Sequence, residues 1–220
     1  MVQLTVGDLA GVVYSTGKVF DGLAAGRSDT ESFLTSGSLA GIASRADLAL
    51  LEDLRDVAQF IIDHADRSVD ADHVMQINAT ITRSGALHPR RLRIPEQNIG
   101  VQTAYGRHQP EALTEGLFQQ LIASAVSGPD LRDGATTLFV ELAKAQPFED
   151  GDKRTAVFAA NSLLIGADAD VFLTIPVDDD DLTLAAMFND ELARAYVFDE
   201  YDEVKELLRT RGLVGRGMNT

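Results

Sequence analysis

The sequence has 220 residues, of which 45% are hydrophobic, so it is long enough to bury a core. Thirty-four acidic residues against 19 basic ones give a formal net charge of −15, which argues against a partner that is a nucleic acid or an anionic membrane surface. No cysteine is present, which excludes a disulfide framework, a thiolate zinc site and a cysteine nucleophile.

The N-terminal sequence lacks the basic segment followed by an apolar run that is typical of a secretory signal. No stretch approaches the roughly 18–20 apolar residues that a membrane-spanning helix needs. We therefore expect a cytoplasmic protein.

Apolar residues recur at helical spacing along most of the chain, which predicts a mainly α-helical fold. The predicted helices cover residues 46–65, 70–82, 111–126, 129–145, 151–166, 182–197 and 201–211. A short strand is predicted over residues 171–175, where Pro176 ends it. Between residues 83 and 105, glycines and prolines alternate with short apolar pieces, which predicts a surface hairpin or flap.

The segment between two of these helices, residues 145–156, reads AQPFEDGDKRTA and carries the clearest candidate site. Free backbone N–H groups and the positive end of the dipole at a helix N-terminus bind phosphates. Gly151 permits a close approach to an anion, while Lys153 and Arg154 add positive charge. Asp150 fits a magnesium ligand. From the residues alone, ordinary capping residues and a solvated basic pair explain the segment as well.

This segment resembles the core motif of the Fic/Doc family, H-x-F-x-[D/E]-G-N-G/K-R, at Phe148, Asp150, Gly151 and Arg154. The order of the preceding helix, the flap and the closing helices is also similar, over most of residues 35–210. The resemblance implies a Fic/Doc-type helical bundle with a small β-hairpin flap. We expect an N-terminal helical extension over residues 1–34, a Fic/Doc-like domain over 35–211 and a flexible tail over 212–220.

The resemblance also implies an activity, the transfer of AMP from Mg²⁺-bound ATP, or of phosphate in Doc-type members, to a hydroxyl of a protein target. Phe148 would anchor the loop and Asp150 would bind Mg²⁺. The nucleotide phosphates would contact Gly151, Asp152, Lys153 and Arg154. The flap would hold the target by strand addition. There the basic residues Arg90, Arg91 and Arg93 are either a solvated loop or a contact for an acidic peptide.

Four positions depart from the family pattern, and the first is the most consequential. Gln146 stands at the position of the catalytic histidine, and a neutral amide takes no proton near pH 7. None of the four histidines is an obvious substitute. His88 and His108 lie in or beside the predicted flap, where they either fold over the site or, as is more common for such residues, are exposed or cap the chain. Asp152 replaces the usual asparagine and Val157 replaces an arginine. In a degenerate inhibitory helix motif at Ser36–Gly41, Ala40 precedes Gly41 and occupies the position of the inhibitory glutamate.

Two hypotheses therefore stay open. The chain is either a divergent transferase with weakened or altered activity, or a catalytically inactive Fic-fold binding or regulatory protein. An antitoxin-like partner and a homodimer are compatible with both hypotheses.

Overall fold

The computed structural model describes residues 4–85 and 88–217. Within these ranges the chain forms nine α-helices and four short strands, which confirms the prediction of a mainly α-helical fold with a small hairpin. The helices are α1 (Ala10–Asp21), α2 (Arg27–Ser36), α3 (Arg45–Asp63), α4 (Ala71–Ala79), α5 (Glu115–Val126), α6 (Leu131–Ala145), α7 (Asp152–Gly166), α8 (Leu182–Phe198) and α9 (Asp202–Leu207). The strands are β1 (Val101–Thr103), β2 (Gly106–His108), β3 (Val171–Leu173) and β4 (Leu213–Gly215).

Helix α7 is the centre of the fold. The five consecutive residues of its 156–160 segment are fully buried, so this helix is covered on all its faces. A helix that is apolar all round belongs inside a core rather than on its surface. Helices α1, α3, α4 and α6 and strand β3 all pack against α7, and α5 packs on α6. None of the helices in the described ranges is long and apolar enough to cross a bilayer.

Capping side chains set several helix starts at different residues from those predicted. The Asp130 side chain accepts hydrogen bonds from the N–H groups of Arg132 and Asp133, so Pro129 precedes α6 instead of lying in its first turn. Thr114 caps α5 through the N–H of Leu117, which delays this helix from the predicted residue 111 to residue 115. The apolar spacing predicts where a helix lies, whereas the cap decides where it begins.

The antiparallel hairpin lies at the C-terminal end of the predicted flap, with Val101 opposite His108. Among the described residues, the segment before this hairpin forms no strand, and it contains a 3-10 turn at Pro95–Gln97. Leu92 instead forms an isolated bridge with Phe148, so this part of the flap is tied to the loop before α7. Residues 86 and 87 of the predicted flap lie outside the described residues.

The prediction of a flexible tail from Gly212 is wrong for its first residues. Strand β4 pairs antiparallel with β3, with Phe172 opposite Val214, and the N–H of Thr174 donates to the Gly212 carbonyl. These main-chain bonds give an ordered C-terminal segment that glycine content alone does not predict. Residues 1–3 of the predicted extension and 218–220 of the tail lie outside the described residues.

Asn161 links the central helix to this small sheet. Its amide accepts a hydrogen bond from the Leu173 N–H and donates to the carbonyls of Leu173 and Val157, and the residue is fully buried. We predict that Asn161→Ala lowers the free energy of unfolding by about 2–4 kcal/mol, because buried main-chain groups of β3 lose their partner. Urea unfolding measures this change.

Gln119→Ala, at an exposed position of α5, is the matched control and should change the stability by no more than about 0.5 kcal/mol. Equal stability of the two variants would contradict the role assigned to Asn161.

Candidate functional site

The candidate loop connects α6 to α7 by two residues with left-handed backbones. Gln146 ends α6 with φ 45° and ψ 60°, and its N–H donates to the Leu142 carbonyl. Gly151 precedes α7 with φ 75°, and a Cβ there would lie 3.1 Å from the Ile81 side chain. A side chain at position 151 would therefore be strained both by its backbone and by its neighbour. Helix α7 begins at Asp152, so the loop presents a helix N-terminus as the sequence predicts.

A cavity of about 220 Å³ opens in front of this helix start. Its walls come from the end of α1, from the segment that leads into β1 and from the loop itself. The lining residues are Phe20, Asp21, Ile99, Val101, Gln146, Glu149, Asp150, Gly151, Asp152, Lys153 and Arg154. Of the loop positions that the resemblance assigns, only Phe148 lies outside the lining. It is buried and packs edge-on against Phe118 at 5.8 Å between ring centroids.

Arg154 is buried at this cavity, and its guanidinium donates three hydrogen bonds to the protein. Nη1 donates to the Ser84 hydroxyl at 2.6 Å, and Nη2 donates to the Ser84 carbonyl at 3.1 Å and to Asp150 at 3.3 Å. Nε lies 3.8 Å from an Asp21 carboxylate oxygen at the end of α1. An anion that binds Arg154 would compete with Ser84, Asp150 and Asp21 for this guanidinium.

The position of Ser84 is fixed by a carboxylate of α3. Asp53 is fully buried and accepts hydrogen bonds from the main-chain N–H groups of Thr82, Arg83 and Ser84 and from the Ser84 hydroxyl. Burial opposes ionisation of Asp53, but these hydrogen bonds lower its pKa below the ordinary value. The hydroxyl donates to Asp53, so its lone pairs are free to accept the bond from Arg154.

Sequence reasoning missed both Asp21 and Ser84 as neighbours of the arginine. Burial raises the pKa of Asp21, and the nearby Arg154 opposes this shift. The one sequence feature that could have drawn attention to Asp21 is the Asp-Gly pair that ends α1. The sequence predicts the degenerate inhibitory motif at residues 36–41 and not at Asp21. There Ser36 is the last residue of α2, Ala40 and Gly41 lie in the following turn, and none of the three lines the cavity.

Two acidic side chains of the loop have different surroundings. Asp150 is half-exposed and accepts hydrogen bonds from the Gly151 N–H and from Arg154. Its assignment as a magnesium ligand stays a prediction, since the described residues contain no cluster of three or more metal-binding side chains. Asp152 accepts a hydrogen bond from the Phe148 N–H at 2.8 Å. Burial raises the pKa of Asp152 to about 7, although this hydrogen bond and Arg93 act in the opposite direction.

The basic residues of the predicted target surface do not share one face. Arg93 is buried, and its guanidinium donates to the carbonyls of Gln146, Pro110 and Glu111, which corrects its assignment to the target surface. The physical reason is that carbonyls at the end of α6 and before α5 need donors once they are buried. Arg90 is exposed and pairs with Asp72 at 2.9 Å, whereas Arg91 is exposed beside a small groove.

No histidine of the described chain lines the cavity that contains Gln146. His108 lies within 2.8 Å of the Lys144 carbonyl and stacks on Tyr196, while His88 lies beside Glu149. Neither replaces the basic nitrogen that Gln146 lacks.

A second cavity of about 360 Å³ adjoins the first, since Val101 and Lys153 line both. It lies between β1 and α8. The remaining lining residues are Gln102, Thr103, Ala104, Ala186, Asn189, Asp190, Leu192, Ala193 and Tyr196. The Tyr196 hydroxyl is buried without a hydrogen-bond partner among the described residues, and burial raises its pKa. Lys153 extends over the Phe20 ring at 5.1 Å, and burial lowers its pKa.

Comparisons with known proteins place this architecture among Fic-domain folds. A Fic-domain-containing signaling protein from Bacteroides thetaiotaomicron is 17% identical, with a TM-score of 0.66 over 91% of this chain and 78% of that one. Fic-1 of C. elegans is also 17% identical, with a TM-score of 0.64 over 91% of this chain and 59% of that structure. No family model and no curated protein matches the sequence. At this identity the likeness shows the fold, so the chain has a Fic-type fold.

The raised pKa of Asp152 predicts a pH-dependent stability. The folded state holds this proton more tightly than the unfolded chain, because the pKa rises from 3.8 to about 7. As the pH rises from about 4 to about 7, the contribution of Asp152 to the free energy of unfolding should therefore decrease, by at most about 4 kcal/mol. We predict that Asp152→Asn, which keeps an acceptor for Phe148, unfolds at a higher temperature than the parent at pH 8. The difference should be much smaller at pH 4.

Circular dichroism melts at the two pH values measure the effect. Asp66→Asn removes an exposed carboxylate and should leave both melting temperatures unchanged. A loss of stability in Asp152→Asn that is the same at both pH values would show that the buried charge is not the cause.

Proposed function

We propose that this chain is a divergent Fic-family protein that binds a nucleotide across the two adjoining cavities. The observation that carries this proposal is the shared wall of Val101 and Lys153, which joins an anion-binding helix start to a partly apolar pocket. Phosphates fit the first cavity, where the N–H groups of the α7 start and Arg154 lie. A purine base such as adenine fits the second, where the unpaired Tyr196 hydroxyl offers one hydrogen bond.

We propose Mg²⁺-bound ATP as the nucleotide, with Asp150 as the protein ligand of the metal. When bound, Mg²⁺ neutralises phosphate charge, which matters here because Asp21, Asp150 and Asp152 all line the phosphate cavity. Lys153 adds a positive charge at the junction of the two cavities. Burial lowers the pKa of Lys153, so its amine loses a proton more easily than the amine of a surface lysine. A bound phosphate would act in the opposite direction, because its negative charge favours the charged amine.

The proposed reaction is transfer of AMP or phosphate to a hydroxyl of a protein target. The hydroxyl oxygen bonds to phosphorus, the bond to the leaving phosphate oxygen breaks, and the hydroxyl proton goes to solvent. Gln146 lines the cavity and can orient the hydroxyl by hydrogen bonding, but it cannot take the proton. The loss of a positioned base slows such a step by about 10²–10⁴-fold, so the proposed transfer is slow.

A second candidate function is nucleotide or phosphate binding without transfer, in a binding or regulatory protein. It is favoured by the state of Arg154, whose guanidinium already contacts Ser84, Asp150 and Asp21. An arginine held in this way serves recognition only after an anion has displaced its protein partners.

Nucleotide binding is tested by calorimetry with Mg²⁺-ATP and, in parallel, with tripolyphosphate, which has no base. We predict that Arg154→Ala weakens both ligands by at least about tenfold. Tyr196→Phe should weaken ATP by about three- to tenfold and leave tripolyphosphate unchanged, since only the base reaches its pocket.

Arg45→Ala removes an exposed arginine outside both cavities and should bind both ligands like the parent. If neither ligand binds the parent protein at about millimolar concentration, both candidate functions fail.

Transfer is tested with labelled ATP, Mg²⁺ and a lysate of the native host. We predict weak labelling by the parent, no labelling by Arg154→Ala and about 10²-fold stronger labelling by Gln146→His. Labelling only in Gln146→His favours the second candidate. Equal labelling by the parent and Arg154→Ala would show that the loop is not the site of transfer.

The engagement of Arg154 by Asp21 has its own test. We predict that Asp21→Asn tightens tripolyphosphate binding by about tenfold. The substitution removes a negative charge that lies 3.8 Å from the guanidinium and lines the cavity in which the ligand would bind. Calorimetry at low and high salt checks this, and Asp66→Asn is the charge-matched control. Unchanged affinity in Asp21→Asn would mean that this pair does not oppose anion binding.

A further inference from the structure

A third cavity, of about 170 Å³, lies apart from the candidate loop, and none of its lining residues belongs to the two cavities described above. It is enclosed by the first half of α1, the start of α2 and the β3–β4 sheet. Its apolar lining consists of Ala10, Val12, Phe172, Ile175, Val177 and Val214. A cavity with a partly apolar lining favours a ligand with an apolar body.

Two arginines also line this cavity, one from α2 and one from the turn before β4. The Arg27 guanidinium stacks over the Tyr14 ring at 4.7 Å. Hydrogen bonds from the hydroxyl and N–H of Thr183 lower the pKa of Asp181, and the nearby Arg211 makes a smaller contribution in the same direction. Among the described residues, neither arginine lies within ion-pair distance of a carboxylate. Each guanidinium can therefore form an ion pair with an anionic ligand.

Two acids also line this cavity, so its formal charges balance. Asp8 lines it, but its carboxylate already accepts hydrogen bonds from the Thr5 N–H and hydroxyl, both at 2.7 Å. Glu31, one turn after Arg27 on α2, is the other acid of the lining. The hydroxyl of Ser15 is likewise engaged, since it accepts from the Ile175 N–H and donates to the Val12 carbonyl. The two guanidiniums are the cationic groups of the lining, and they are the groups that suit an anionic ligand.

We propose that this cavity binds a small organic anion, with its carboxylate or phosphate group at Arg27 and Arg211 and its apolar body against Val12 and Phe172. The arginine fork matches both kinds of anion, because each offers two oxygens to parallel N–H donors. The stacking of Arg27 on Tyr14 limits the freedom of the guanidinium before the ligand arrives, which lowers the entropy cost of binding.

The test uses benzoate and phenyl phosphate as probes and benzyl alcohol as a neutral probe of similar size. Binding is followed by saturation-transfer NMR and calorimetry up to about 10 mM probe. All titrations are repeated in Arg154→Ala, which removes binding at the candidate loop from the measurement. We expect at least one anionic probe to bind the parent and Arg154→Ala alike, and about tenfold more tightly than benzyl alcohol.

Arg27→Ala and Arg211→Ala should each weaken that probe by about tenfold, while Arg45→Ala leaves its affinity unchanged. Circular dichroism melts establish that all variants are folded. The proposal is overturned if neither anion binds, if benzyl alcohol binds as tightly, or if binding survives in the Arg27→Ala, Arg211→Ala double variant. Binding that disappears in Arg154→Ala would assign the probe to the candidate loop and would equally overturn it. The outcome is independent of nucleotide binding at α7.

Discussion

The burial of α7 on every face is the constraint on which the candidate site depends. A helix packed by α1, α3, α4, α6 and β3 cannot tilt or slide without opening the core, so the direction in which its first turn points is fixed. The loop before it needs only to turn the chain, which the left-handed residues Gln146 and Gly151 do. The same packing therefore stabilises the core and orients the N–H groups at the start of α7.

The charges around the helix start are held close to balance. Arg93, Lys153 and Arg154 bring positive charge into a strongly acidic chain, and Asp21 and Asp152 bring negative charge to the same place. Each of these groups is at least partly buried, so their interactions are stronger than those of exposed pairs. Such a site does not attract anions by net charge. It depends on directed hydrogen bonds from main-chain N–H groups and on the exchange of one guanidinium partner for another.

The sequence predicted those features that depend on neighbouring residues. The apolar spacing of α3, α6, α7 and α8 is a local pattern, and the motif from Phe148 to Arg154 is contiguous, so the helical fold and the loop at the α7 start were both predictable. The likeness to Fic-domain structures agrees with the fold that the motif implied.

Features that depend on distant residues were not predictable in this way. The contact between Asp21 and Arg154 joins residues that are far apart in the sequence, and the strands of three residues are too short for an alternating pattern. Arg93 was grouped with Arg90 and Arg91 because the three are close in sequence. Only the tertiary structure shows that one of them supplies donors to buried carbonyls while the others remain exposed.

Helix α1 has a position that gives it more than a packing role. Its first half lines the cavity beside Arg27, and its last residue, Asp21, directs a carboxylate toward Arg154. An α-helix of 12 residues is about 18 Å long, so the two ends of α1 reach different parts of the fold. One helix therefore contributes to the walls of two separate cavities.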